Sequence, residues 1–207
     1  MARCQARYDA GVAGTSTTRE SLLDAALRLL EERGPGALRI RDLAAAADQS
    51  TMGVYTHFGS KQGLLEQVYL HGFRLLEDRL NSVPSGGRGR HELVPFALAY
   101  RGFALDNEAL YGLMFERATP DFIPSDDSRM AGLTTFEMLA QRIADWQPDL
   151  ADPAPNAHLV WAAMHGLVSI ELMHRRWGGP LVAHLQGDPE QNYATALNSL
   201  IAGLDKS

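Results

Sequence analysis

Residues 40–58 read Ile40-Arg41-Asp42-Leu43-Ala44-Ala45-Ala46-Ala47, then Asp48-Gln49-Ser50, then Thr51-Met52-Gly53-Val54-Tyr55-Thr56-His57-Phe58. The pattern predicts two short helices, Ile40 to about Ala47 and Thr51 to about His57, joined by the turn Asp48-Gln49-Ser50. A helix fits the major groove of B-DNA, where each base pair shows a distinct donor and acceptor pattern. In a helix-turn-helix the second helix enters that groove by its N-terminal end, and the first crosses the backbone. Thr51, Met52, Gly53 and Thr56 are small or unbranched, which suits close approach to base edges. Tyr55, His57 and Lys61 suit phosphates, and Lys61 opens a further helix, where free backbone N–H groups and the helix dipole attract anions. Spacing alone serves a purely structural three-helix core equally well.

Working outward, Thr17 and Glu20 have the spacing of a capping box. Leu22, Leu23, Ala26, Leu27 and Leu30 form one apolar stripe of helical period, ended by Gly34-Pro35. A helix behind Ser60 runs to about Leu80, and a Gly/Pro/Ser-rich connector fills residues 81–90. Five more helices are expected, at about His91–Leu105, Glu108–Ala118, Ser128–Trp146, Asn156–Trp177 and Pro189–Leu204. No strand pattern appears, so the chain reads as all-α with about nine helices. Its 207 residues are 45% apolar, enough for a sizeable core. The single cysteine, Cys4, excludes a disulfide framework and a multi-cysteine zinc site. No signal peptide is visible, and the longest apolar run, Leu159 to Ile170, is too short for a bilayer. A soluble cytoplasmic protein without a membrane partner is expected. The net charge of −6 argues against nucleic acid until it is divided: residues 1–80 carry ten basic and ten acidic residues, residues 81–207 nine and fifteen. The acidity belongs wholly to the second part, which leaves a neutral head able to approach a polyanion.

Residues 18–76 resemble the DNA-binding domain of TetR-type transcriptional regulators. The likeness is carried by Ile40-Arg41-Asp42-Leu43-Ala44, Ala47, Ser50, Val54-Tyr55-Thr56-His57-Phe58, Ser60-Lys61 and Leu64-Leu65. It implies an N-terminal arm over residues 1–17, a helix-turn-helix domain over 18–76 and a ligand-binding and dimerisation domain over 77–207. Tyr55 and Lys61 fall on positions such proteins use for phosphates, Thr51 and Met52 on positions near bases, and Leu43 and Phe58 on core positions. The DNA-contacting set expected is Arg39, Arg41, Ser50, Thr51, Met52, Gly53, Tyr55, Thr56, His57 and Lys61, on double-stranded operator DNA. Three residues depart from the family pattern. Asp48 stands where the turn commonly has Gly, Gln49 where an apolar residue is common, and Arg39 where a Ser or Thr cap is common. Asp tolerates the left-handed conformation better than most residues, Gln49 must point outward or find a partner, and Arg39 adds a charge within reach of phosphate.

The helix from Asn156 to Trp177 is apolar on nearly every face, as expected of a helix buried on two sides. Ala162, Gly166 and Ser169 permit close approach of another helix. The resemblance implies a homodimer built on the last two helices, with Leu159, Ala162, Gly166, Ser169, Ile170, Met173, Tyr193, Leu197, Leu200, Ile201 and Leu204 at the interface. It also implies a pocket for a small, mainly apolar effector and no other cofactor. Phe96, Tyr100, Phe103, Tyr111, Met114, Phe115, Phe136, Trp161, Met164 and His165 are the candidate lining. Trp161-x-x-x-His165-Gly166 is similar to a run that marks one C-terminal subclass; His165 reads as either a hydrogen-bonded core histidine or a ligand or pH sensor. Two other readings stay open. One is a helical bundle that has lost specific DNA binding. The other is a metal-dependent bundle enzyme, on the strength of Glu171-x-x-His174, although such sites need a second copy that this chain lacks.

Overall fold

The structure, a computed structural model, describes residues 18–86, 89–116, 119, 122–177 and 187–204. The expected arm over residues 1–17, with Cys4 and the cap residue Thr17, lies outside them, as does Ala118. Nine α-helices occur among the described residues: α1 (Thr18–Arg33), α2 (Ile40–Ala46), α3 (Thr51–Phe58), α4 (Lys61–Asn81), α5 (Leu93–Asp106), α6 (Glu108–Phe115), α7 (Asp126–Trp146), α8 (Ala154–Trp177) and α9 (Pro189–Leu204). Single 3₁₀ turns precede α2 (Pro35–Ala37) and α5 (Arg90–Glu92). No strand is found among the described residues, and no described helix is long and apolar enough to cross a membrane.

Local chemistry sets the helix ends. Gly34 closes α1 at φ 75°, donating its N–H to Leu30 O at 2.8 Å. Arg39 precedes α2 in extended backbone and supplies no side-chain cap. α7 starts at Asp126 instead of Ser128, because the Ser125 hydroxyl accepts the Ser128 N–H and Asp126 and Asp127 suit the positive end of the helix dipole. His91 sits in the 3₁₀ turn before α5, since the α-helix begins only at Leu93.

α1 and α3 pack against α4, and α2 packs on α1 and α3, around Leu22, Leu30, Leu43, Val54 and Leu64, all fully buried. The second half of α4 packs against α5, α6 and α7. The expected domain boundary at 76/77 thus falls inside one continuous helix that belongs to both layers. α4 and α7 run in the same direction. Gln62 reaches Ile123 O, Glu66 accepts the Ser125 N–H, Gly132 sits against Phe73, and Arg142 reaches Val83 O at the far end.

α8 buries Ala157, Val160, Met164, Val168 and Leu172 on one face. Its other face exposes Leu159 (44%), Ile170 (45%), Met173 (37%) and Trp177 (74%), with Ala162 also exposed and Gly166 and Ser169 beside them partly covered. α9 corrects the sequence reading. Tyr193, Leu197, Ile201 and Leu204 were expected at a subunit interface, yet they are buried in the chain's own core, where the Tyr193 hydroxyl donates to Ala97 O. Leu200 is partly buried against the same core. The stripe is real, but α9 turns it toward α5 and α8 of its own chain. Its outward face carries the small or polar residues Thr195, Ala196, Ser199 and Gly203.

Candidate nucleic-acid interface and cavity

The turn between α2 and α3 is a Schellman closure. Gln49 N–H bonds Ala44 O at 2.8 Å and Asp48 N–H approaches Ala45 O at 3.4 Å. That geometry puts Asp48 at φ 52°, the one described non-glycine residue with positive φ. Aspartate thus occupies a left-handed site where glycine has no steric penalty. Gln49 is exposed. Ser50 then caps α3, its hydroxyl accepting the Gly53 N–H at 3.0 Å. Its sequence assignment was DNA contact; here it also sets where the helix starts.

At the other end of α3, Gly59 turns the chain at φ 70° and Ser60 caps α4 by accepting the Gly63 N–H at 3.0 Å. A Cβ on Gly63 would stand 2.1 Å from Phe58 O, so only glycine lets the two helices join this closely. Val54 and Phe58 anchor α3 in the core. Arg39, Arg41, Thr51, Met52, Tyr55, Thr56, His57 and Lys61 are all exposed, and Met52 is 72% exposed. The Thr56 hydroxyl donates to Met52 O at 2.9 Å.

A cavity of about 460 Å³ lies between α4, α5, α6, α7 and α8. Seven of the ten residues expected to line it do so: Phe96, Tyr100, Met114, Phe115, Phe136, Trp161 and Met164. Phe103 does not, being 2% exposed in the core. Tyr111 and His165 sit one layer behind. The Tyr111 hydroxyl is 2.5 Å from His165 Nδ1 and 3.1 Å from the hydroxyl of Tyr100, itself a lining residue. Burial lowers the His165 pKa from its ordinary value and pushes that of Tyr111 up to about 12. Both shifts favour the neutral forms, so phenol and imidazole share a neutral hydrogen bond whose direction is set by the imidazole tautomer. His165 also stacks on Trp161, with ring centroids 5.7 Å apart.

The wall that sequence reading missed comes from α4 and α7: Tyr69, Phe73, Leu80, Arg129, Gly132, Thr135 and Leu139, with His158 from α8. Reading α4 as the last helix of the head hid its aromatic face. A Cβ on Gly132 would stand 3.3 Å from the Phe73 ring, so a larger residue there requires the ring to shift. In the Glu171-x-x-His174 pair, the carboxylate is held by an arginine. Both Glu171 oxygens accept from Arg101, at 2.8 Å each, and Arg101 also meets Glu190 at 3.1 Å.

The sequence matches the bacterial regulatory proteins of the tetR family over residues 22–68 and the tetracyclin repressor-like C-terminal domain over residues 93–200. It is 42% identical over 60 residues to the HTH-type transcriptional repressor KstR2 of Rhodococcus jostii, a match spanning 29% of this chain and 29% of that repressor. Among solved structures, a Rhodococcus sp. RHA1 protein of unknown function superposes with a TM-score of 0.72 at 24% identity, covering 92% of this chain and 97% of that one. The TetR family regulator PfmR of Thermus thermophilus superposes with a TM-score of 0.62 at 19% identity, covering 87% and 97%. With both family regions matched in order and the exposed, doubly capped α3 in place, the chain belongs to the TetR family of transcriptional regulators.

Proposed function

We propose that the chain is a homodimeric repressor that binds a pseudo-palindromic operator and releases it when a small, mainly apolar effector fills the cavity. The observation that carries this reading is α4. It starts two residues after α3 and continues to the cavity wall at Tyr69, Phe73 and Leu80. A ligand that wedges α4 against α7 therefore moves the exposed helix through only the short capped turn Gly59-Ser60 between them. The lining of aromatic, leucine and methionine side chains with few polar groups fits a bulky apolar molecule.

The exposed apolar face of α8, with the small outer face of α9, supplies the surface for a second copy. Two α3 helices about 34–36 Å apart then read two half-sites. An effector that favours another spacing lowers affinity by its differential binding to the two states. Function on this reading lies in binding, in the cytoplasm, and not in catalysis.

A gel-shift with DNA from upstream of the chain's own gene tests it. Saturable, salt-sensitive protection of an inverted repeat is expected. Weak binding of all sequences alike would instead support a bundle that has lost operator recognition. Lys61→Ala should weaken binding evenly across sequences and reduce the salt slope by about 1.

A further inference from the structure

The outward face of α3 holds no side chain that makes a two-point hydrogen bond to a base. Successive residues turn by about 100°, so Val54 and Phe58, the buried pair, fix the inward direction. On that wheel Thr56 points about 180° away from the core, Met52 about 140° and Gly53 about 120°. Tyr55 and His57 stand about 80° to either side, toward the flanking strands. The face is thus a thioether, a bare backbone position and a threonine. Thr56 donates its only hydroxyl hydrogen to Met52 O, which leaves its methyl group and an oxygen lone pair for a partner.

Gly53 is the second observation. A Cβ there would meet Ser50 Oγ at 3.5 Å and Gln49 Oε1 at 3.7 Å, both ordinary contacts. Its backbone is not among the positive-φ positions. Nothing among the described residues requires glycine at Gly53, unlike Gly63, and glycine inside a helix weakens it relative to alanine. The missing side chain serves whatever approaches from outside.

We infer that α3 reads its half-site through thymine methyl groups, with Met52 and the Thr56 methyl against them and Gly53 letting the helix backbone close on the groove floor. The inference rests on the operator-binding reading above. Thymine is the base that presents a methyl in the major groove, and guanine is read mainly by the arginine or lysine absent from this face. Gln49, exposed in the turn just before the helix, adds an amide of the kind that reads adenine. The half-sites are accordingly rich in A·T pairs.

The test selects bound duplexes from a random pool with the full-length protein, then replaces the thymines of the enriched half-site by deoxyuridine, which removes only the methyl. Wild type should lose about fourfold in affinity per contacted methyl. Met52→Ala, at an exposed position, should bind the thymine duplex more weakly and lose less on deoxyuridine replacement. Gly53→Ala should raise the melting temperature by about 2–4 °C, while operator affinity falls about tenfold, within the range for one lost base contact. Equal binding of thymine and deoxyuridine duplexes by wild type, or undiminished binding by Gly53→Ala, overturns the inference and leaves operator binding intact. Failure to enrich any sequence overturns the operator-binding reading as well.

Discussion

Asp48 shows how one residue can satisfy a turn at a cost. The Schellman closure after α2 forces its backbone to φ 52°. Glycine suffers no Cβ clash there, while aspartate is strained less than most residues but is not free of strain. Asp48→Gly should therefore stabilise the fold by about 0.5–1 kcal/mol, read as a higher urea midpoint with an unchanged m-value. The substitution also removes a carboxylate from the turn leading into α3, so operator affinity should rise, and rise most at low salt. An unchanged midpoint would mean that the aspartate side chain compensates for the conformation through bonds in the turn. Gly63→Ala should act in the opposite direction, because its Cβ would collide with the Phe58 carbonyl, a backbone atom unable to move aside. Asp48 was legible in the sequence as a turn residue. The steric demand at Gly63 was not, since it depends on how closely α3 and α4 are joined.

At the scale of elements, helical period predicted nine helices in the right order, and the structure supplies each of them among the described residues. Period does not say which way a stripe faces. Tyr193, Leu197, Ile201 and Leu204 form the regular stripe expected of an interface, but in α9 it serves the chain's own core. On α8 the pattern runs round the helix, and the structure divides it into a buried face and an exposed one. The exposed half, Leu159, Ala162, Ile170 and Met173 with Gly166 beside it, is therefore the surface we propose for the dimer. A Cβ at Gly166 would meet nothing within 4 Å, so this face has room for another helix. Ile170→Arg places a charge in that surface without touching the core. It should convert the dimer to a monomer in sedimentation, with far-UV circular dichroism unchanged and operator affinity strongly reduced. Tyr193→Ala, by contrast, should lower stability by about 3–5 kcal/mol, the range for a large buried aromatic. Dimers that persist in Ile170→Arg would place the interface elsewhere.

At the scale of the whole molecule, α8 carries two surfaces at once. Trp161 and Met164 line the cavity, while Ala162 is exposed and Gly166 partly covered on the face proposed for a second copy. His165 stands between them, bonded to Tyr111 and stacked on Trp161. On the proposed reading, a ligand pressing on Tyr100 and Trp161 displaces α8 directly, because Trp161 and the His165 layer behind it are part of that helix. That layer depends on a neutral His165. Burial lowers its folded-state pKa, so below its unfolded pKa of about 6.5 the unfolded chain binds the proton more readily than the native one. Stability is therefore complete above that pH and is lost as pH falls through about 6.5 toward the folded value. His71, also lowered by burial, contributes in the same direction. The melting temperature of wild type should thus drop between pH 7 and pH 5. His165→Gln, which keeps an acceptor for the Tyr111 hydroxyl but cannot take the proton, should flatten part of that drop while His71 maintains the rest. If the two melting curves shift in parallel across the range, His165 is not the group that titrates.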